Sequence, residues 1–233
     1  MRTKPAPNVP EAMLVTVAGG MLGAATGYSI GDIGGLAVGA VMAGLNGGFG
    51  GLRGTYAWRT IKGWFAFVSD SSWGLLGTTL GVGLNVINSA SKASGYREDF
   101  SRRQNRHVFE RGACMKRGFA FTHGNVISNA ATGHETLTDE RRDFIDRHEG
   151  LHVWQNRIFG PIYQAGYVGW FLLGALVAMI AKAFRRNTPP LRRLVETAAY
   201  YDNPFEYWAY RRDDHWETNS AEPMLKWRSR PRS

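Results

Sequence analysis

The chain has 233 residues, with 28 basic and 19 acidic side chains, so its formal charge is +9; 44% of residues are hydrophobic and 29 are glycine. The glycines follow no three-residue repeat, which excludes collagen, and eight Trp, nine Tyr and twelve Phe argue against disorder. The single cysteine, Cys114, excludes an internal disulfide framework and an all-cysteine zinc site.

Fourteen of the 29 glycines fall between Gly19 and Gly54. Ala12 to Leu52 is a run of 41 residues with one charge, Asp32. One bilayer crossing needs about 20 apolar residues, so this run suits two crossings joined by a tight turn at Gly31-Asp32. Gly19, Gly23, Gly27, Gly31, Gly35 and Gly39 keep a spacing of four, which Gly47 and Gly51 resume. Small residues at that spacing form a stripe on which a second helix can lie closely. The stretch resembles the glycine-zipper membrane segments of bacterial envelope proteins. The stripe is also suited to packing against another subunit of a membrane complex or a second copy of the chain.

Residues 56–90 are mixed. Trp64 to Val68 alternates aromatic and polar or small residues, as in a strand or an interfacial belt, and Gly74 to Ile87 reads as a third, weakly apolar span. In the polar stretch 91–147, His107–Phe109, Gly118–Thr122 and Asn125–Ile127 read as short strands between glycine turns. Thr138-Asp139-Glu140 has the hydroxyl cap and acidic first turn of a helix start. A second uncharged run, Ile158–Ala181, ends at Lys182, Arg185 and Arg186 and is closed by Pro189-Pro190.

The helix expected after Thr138 contains His148-Glu149-Gly150-Leu151-His152, an H-E-x-x-H sequence. Residues four apart stand on one helical face, so both imidazoles can reach a single cation. Glu149 meets the edge of the same site, where it can take a proton from an activated water. Zinc suits two imidazoles and needs a third protein ligand, for which Glu206, Asp202, His215, His134 and His123 are the candidates. Glu206 is preferred because Asn203-Pro204 can start a helix that aims it at the first one.

H-E-x-x-H followed by a glutamate within an N-P-x-E-x-x-A segment resembles the gluzincin metallopeptidases, particularly their minimal and membrane-bound branches. His148 to Gln155, an H-E-x-x-H-V-x-Q sequence, is also similar to small gluzincin-like domains of bacterial secreted and envelope proteins. The resemblance spans roughly residues 118–210. It implies a Zn2+ ion held by His148, His152 and Glu206, Glu149 as general base, and Gly118–Thr122 as an edge strand that pairs with a peptide substrate. It departs from the pattern at Tyr210, where many gluzincins carry an acid that orients a zinc histidine; Asp202, Asp213 or Asp214 could substitute. The oxyanion-stabilising residue stays open among Tyr200, Tyr201, Tyr210 and His215.

The expected fold is α+β: residues 1–55 a glycine-zipper membrane hairpin, 56–105 a connecting segment that is strand-rich or membrane-associated, and 106–233 a gluzincin-like zinc domain with the apolar insertion 158–181. Topology constrains this plan. A single bilayer crossing by 158–181 would put His148 and Glu206 on opposite faces, and would place Lys182, Arg185 and Arg192 outside, against the positive-inside tendency. The insertion is therefore expected to bend back near Gly174, or to pack as a buried or interfacial helix. The basic flanks beside apolar segments suit anionic lipid, and no nucleic-acid module accompanies them. The expectation is a protein of a bacterial-type inner membrane with its zinc domain cytoplasmic. It would hydrolyse peptide bonds, or serve without catalysis as an accessory subunit with a structural zinc or a degenerate site.

Overall fold

The fold comes from a computed structural model that describes residues 6–112, 119–131, 139–185 and 188–213. It is mostly helical, with one small sheet. Helix α1 (Val9–Leu52) opens the chain, with Asn8 capping Glu11 N and Pro10 in its first turn. It is two limbs, because Gly31 (φ −146°, ψ 32°) and Asp32 (φ 52°, ψ −141°) leave helical geometry and reverse the chain. The expected hairpin and its turn are thus both present.

The period-four glycines set the distance between the limbs. A Cβ on Gly23 would collide with the carbonyl of Gly39, one on Gly27 with that of Gly35, and one on Gly19 with Ala43 O at 2.7 Å. Gly47 and Gly51 meet Val15 and Ala12 in the same way. The outer surface is apolar and uncovered, with Met13, Leu14, Ile30 and Ile33 all more than 60% exposed.

Thr60 then caps helix α2 (Ile61–Ser71), its hydroxyl accepting from Gly63 N. Gly63, Ala66, Phe67 and Asp70 are buried at spacings of three and four, so Trp64–Val68 is helical. The strand alternative fails because the buried positions follow a helical period. Helix α3 (Leu75–Ala90) occupies the third apolar stretch. At 16 residues it is about 24 Å long, short of a bilayer core of about 30 Å. Gly77, Thr78, Gly81, Val82 and Asn85 pack inward.

Strands β1 (His107–Val108), β2 (Phe121–His123) and β3 (Val126–Ser128) form a sheet in the order β1-β3-β2. β1 runs parallel to β3 and β2 antiparallel to it, so β2 is an edge. All three fall near their expected positions, although β2 lies later than predicted and Gly118 is outside the described residues. Gly124 turns β2 into β3 at φ +54°, with Gly77 of α3 directly against it.

Helix α4 (Asp139–Phe144) passes through a π-helical turn, Ile145–Glu149, into α5 (Gly150–Phe159). Asp139 begins α4 where the acidic first turn was expected; Thr138 lies outside the described residues. Helix α6 (Pro161–Phe184) follows at Gly160 and is continuous through Gly174, so the expected bend there is absent. It is also not a buried helix: among its residues only Tyr163, Gly174 and Ala178 are buried. The chain returns instead through α7 (Leu191–Val195), a second π-helical turn (Glu196–Tyr201) and α8 (Pro204–Asp213). Gly174 is where this return touches α6, with Ala198 O where a Cβ would stand, and Trp170 Nε1 donates to the same carbonyl at 3.1 Å. α1 and α6 are both long and apolar enough to cross a membrane.

A buried polar cluster joins the three segments that the sequence distinguishes. Arg157 of α5 donates from Nε and Nη2 to the two Asp70 oxygens at 2.8 and 2.7 Å, with both side chains fully buried. Asp70 Oδ2 also accepts from Tyr56 Oη at 3.1 Å and Asn125 Nδ2 at 3.0 Å. Asn46 of α1 completes the cluster, donating to Tyr56 Oη at 2.8 Å and accepting from Asn125 at 2.9 Å.

Two outcomes test this packing. Gly23→Leu should lower unfolding stability in detergent by about 1–3 kcal/mol through forced separation of the limbs. Gly34→Leu adds the same side chain where nothing lies within 4 Å, and should leave stability unchanged or raised. Asp70→Ala should cost about 3–5 kcal/mol, because it leaves the Arg157 guanidinium buried and unpaired. Asp70→Leu combined with Arg157→Leu should recover part of that loss in the same denaturation measurement.

Candidate metal centre

His148 lies in the π-helical turn and His152 in the first turn of α5. Single π-turns inside helices recur at functional sites because they re-aim one residue against the regular period. The two rings stand 5.0 Å apart at 77°. Glu206 comes from the first turn of α8, which starts at Pro204 with Asn203 Oδ1 capping Phe205 N at 3.0 Å. The Asn-Pro reading of the sequence thus places the start of α8 correctly.

Nε2 of His148 is 3.4 Å from Glu206 Oε2, and Nε2 of His152 is 3.4 Å from Glu206 Oε1. One donor atom from each of the three residues lies within 4.8 Å of the others, and all three side chains are buried. A tetrahedral ion with ligands at about 2.0–2.1 Å needs donor atoms roughly 3.3–3.4 Å apart, which the two His–Glu206 distances match, while the donor atoms of the whole group lie within 4.8 Å. Glu206 Oε2 is buried without a hydrogen-bond donor. A cation between the imidazoles and the carboxylate would satisfy it, so the group could hold a metal ion.

The electrostatics agree. Burial alone would raise the Glu206 carboxyl, but the two imidazoles outweigh it and hold Glu206 well below the usual carboxylate range. Burial would lower His152, yet Glu206 outweighs that and raises it above 6.5. The negative charge is thus fixed where a cation is needed.

Neighbouring groups orient the donors. Gln155 Oε1 lies 2.8 Å from His152 Nδ1, which leaves Nε2 turned to Glu206, and Gln155 Nε2 donates to Phe205 O at 3.1 Å. Tyr167 Oη of α6 donates to Glu206 Oε1 at 2.7 Å, and Tyr163 Oη lies 3.4 Å from His152 Nδ1. Tyr210, at the spacing where an acid was sought, packs its ring against His148 at 4.6 Å. The orienting role at His152 falls to Gln155 instead. Glu149 is buried beside the group, its Oε2 accepting from Thr122 Oγ1 of β2 at 2.5 Å.

A cavity of about 120 Å³ opens beside these residues, walled by β2 (Phe121, Thr122, His123), by Glu149, His152 and Glu206, and by Tyr163 and Tyr167. Tyr200 reaches it, whereas Tyr201 and Tyr210 do not line it. Of the other candidate ligands, Asp202 is buried but outside the three-residue group, and His123 lines the cavity with burial lowering its pKa. His134, His215, Asp214 and the Asp213 side chain lie outside the described residues.

Sequence reasoning missed Tyr163, Tyr167 and the Asp70–Arg157 pair, and it named Thr122 in the edge strand and Gln155 in the motif without their contacts to Glu149 and His152. Only Gln155 left a local signal, three positions after His152 on the same helix. The chain matches no protein-family model, no curated protein and no solved structure.

A metal ion taken up by this group, with zinc as the probe, should bind about 10–100-fold more weakly in Gln155→Leu without unfolding of the chain, because the substitution frees the His152 ring while leaving His148, His152 and Glu206 in place. Competition against a zinc-sensitive chelating dye measures this, and an affinity equal to wild type would remove Gln155 from the centre.

Proposed function

We propose that this protein is a membrane-bound, gluzincin-like zinc metallopeptidase. The observation that carries this reading is the convergence of His148, His152 and Glu206 on a cavity whose wall includes β2, the edge strand of the sheet among the described residues.

His148, His152 and Glu206 would hold the ion. Zinc, when bound, supplies a Lewis acid that polarises a carbonyl and brings the pKa of water to about 7. Glu149 acts as general base: its carboxylate takes the proton from the attacking water and later passes it to the amine of the broken peptide bond. Thr122 orients Glu149 through the bond at 2.5 Å. The outer side of β2, an edge among the described residues, receives an extended peptide by main-chain hydrogen bonds, which sets the scissile bond across the cavity.

The bilayer placement rests on α1, whose limbs each approach 30 Å and whose outer surface is apolar. α6 and its return lie along the interface, since their far end carries Lys182, Arg185, Arg192 and Arg193. His148 and Glu206 then share one face of the membrane. By the positive-inside tendency, Arg53, Arg59 and Lys62 make that face cytoplasmic in a bacterial-type inner membrane.

A non-catalytic role with a structural zinc is favoured by one feature, Tyr210 in place of the expected acid. Purified wild type, Glu149→Gln and His148→Ala separate the two. The peptidase requires about one zinc in wild type and in Glu149→Gln and little in His148→Ala. Cleavage of a peptide library should fall about 10²–10⁴-fold in Glu149→Gln. Zinc without cleavage in wild type assigns the structural role. Equal zinc in all three ends the ligand assignment.

A further inference from the structure

Away from the metal centre, α2 and α3 carry their polarity inside out. Between Gly63 and Asn88 every exposed residue is apolar or glycine, and Trp64, Phe65, Val68, Trp73, Leu76 and Leu80 are each 44–55% exposed. The polar side chains point inward. Asp70 pairs with Arg157, Asn85 accepts from Arg53 Nη1 at 2.7 Å and Asn88 donates to Ser128 Oγ at 2.7 Å, and all three are buried. The partly exposed Ser72 and Thr79 turn their hydroxyls onto their own helices, donating to Val68 O at 2.6 Å and Leu75 O at 2.9 Å. The indoles of Trp64 and Trp73 donate to Trp58 O at 2.9 Å and Ile158 O at 3.1 Å. The outer face therefore leaves no side-chain donor for water. Surfaces that face water show the reverse, with charged and amide groups outermost and apolar patches small.

The helix pair also has a depth. Both of its ends lie beside the foot of α1. Trp58, just before α2, donates to Glu11 Oε1 at 2.7 Å, and Arg53 donates to Asn85 and Ser89 in the last turns of α3, at 2.7 Å each. The tip lies further along α1, where Ser71 Oγ is 3.5 Å from the position of a Cβ on Gly19. Gly19 is 12 residues before the turn at Gly31, about 18 Å along a helix. With that turn at the far boundary of a hydrocarbon core of about 30 Å, the tip stands about 12 Å inside the near boundary, within one leaflet. Backbone at such depth must be satisfied internally, and Ser72 N and Gly74 N both donate to Ser69 O, at 3.2 and 2.7 Å. Arg59 and Lys62 stand at the start of α2 and Lys92 just after α3, and the only charge between them is the buried Asp70. Basic residues at both ends of an apolar segment, on one level with the foot of α1, suit a segment that enters a bilayer and returns.

We propose that α2 and α3 form a re-entrant pair embedded in the bilayer beside α1, with lipid acyl chains against Trp64, Val68, Leu76 and Leu80. The pair enters and leaves by the face at which Arg53 lies. This rests on the bilayer placement of α1 and is independent of the metal centre.

Single cysteines in the full chain, on a Cys114→Ser background, test it. Arg59→Cys, Lys92→Cys, Leu76→Cys, Leu80→Cys, Ile87→Cys and, on the exposed face of α1, Val17→Cys are treated with a membrane-impermeant maleimide in spheroplasts and in inverted vesicles. Arg59→Cys and Lys92→Cys should react from the same face. Leu76→Cys, Leu80→Cys and Val17→Cys should react only after denaturation in dodecyl sulfate. In reconstituted vesicles, bimane attached at Leu76→Cys, Leu80→Cys and Ile87→Cys should be quenched by spin-labelled phosphatidylcholine. The ratio of quenching by a label near the chain end to quenching by one near the headgroup should fall from Leu76→Cys to Ile87→Cys. Reaction of Leu76→Cys and Leu80→Cys from water with Val17→Cys protected overturns the re-entrant pair and leaves α1 in the bilayer. Reaction of Val17→Cys as well removes the bilayer placement and the pair with it. Arg59→Cys and Lys92→Cys reacting from opposite faces make α2 and α3 a crossing and overturn the return. Protection without quenching by either lipid gives the surface to a second copy of the chain and overturns the contact with lipid.

Discussion

The fold hangs on one fully buried ion pair. Asp70 and Arg157 meet through two hydrogen bonds where α1, α2, the β2–β3 turn and α5 come together. Removing two charges from water is costly, and the cost is offset only where the remaining hydrogen-bonding capacity is used. Here Tyr56 and Asn125 occupy the carboxylate, and the carbonyl of Asn105 accepts from the guanidinium. Every member fixes the orientation of a different segment. Arg157 lies five residues beyond His152 on α5, so the pair also sets the rotation of the helix that presents the imidazoles. Asn125 stands two residues after β2, in its turn to β3, so the same cluster places the strand carrying Thr122 and hence the oxygen that Thr122 bonds on Glu149. The candidate metal centre is thus positioned by a neighbouring polar cluster that shares none of its three residues.

What the sequence made legible was what depends on local spacing. The two imidazoles four residues apart, the Asn-Pro start of α8 and the Gly31-Asp32 turn each rest on a few adjacent residues, and each is where the spacing puts it. The period-four glycines also read correctly, because a close helical contact leaves its own periodic trace. Long-range partners left no such trace. Asp70 and Arg157 are 87 positions apart, and nothing near either one marks it as buried. Tyr167 read as one more aromatic in an apolar run, yet it donates to a Glu206 oxygen of the candidate metal group. Trp64–Val68 misled because alternation over five residues fits two periods, and only the burial of Gly63, Ala66, Phe67 and Asp70 chose between them.

The insertion between the histidines and the glutamate shows how a topological difficulty resolves in packing. An apolar stretch placed between two candidate ligands threatens to separate them. The chain meets this with a helical return in which small residues allow close approach, Gly174 against Ala198 and Ala178 beside Leu194. Asn203 donates to the carbonyl of Tyr167 at 3.4 Å, near the base of α6, and Glu206 follows within one turn. The exposed outer face of α6 is thus compatible with His148, His152 and Glu206 meeting on its inner side.

That arrangement has a thermodynamic consequence. His148 and Glu206 are 206 − 148 = 58 residues apart, and the loop between them contains all of α6. An ion bound by both ends closes that loop, so occupancy removes chain entropy from the unfolded state as a cross-link does. Tyr167 transmits the closure to α6, because any motion of that helix displaces the Glu206 oxygen it holds at 2.7 Å. Ion and helix are therefore coupled in both directions: a bound cation resists displacement of α6, and a displaced α6 lowers the affinity for the cation by the same free energy.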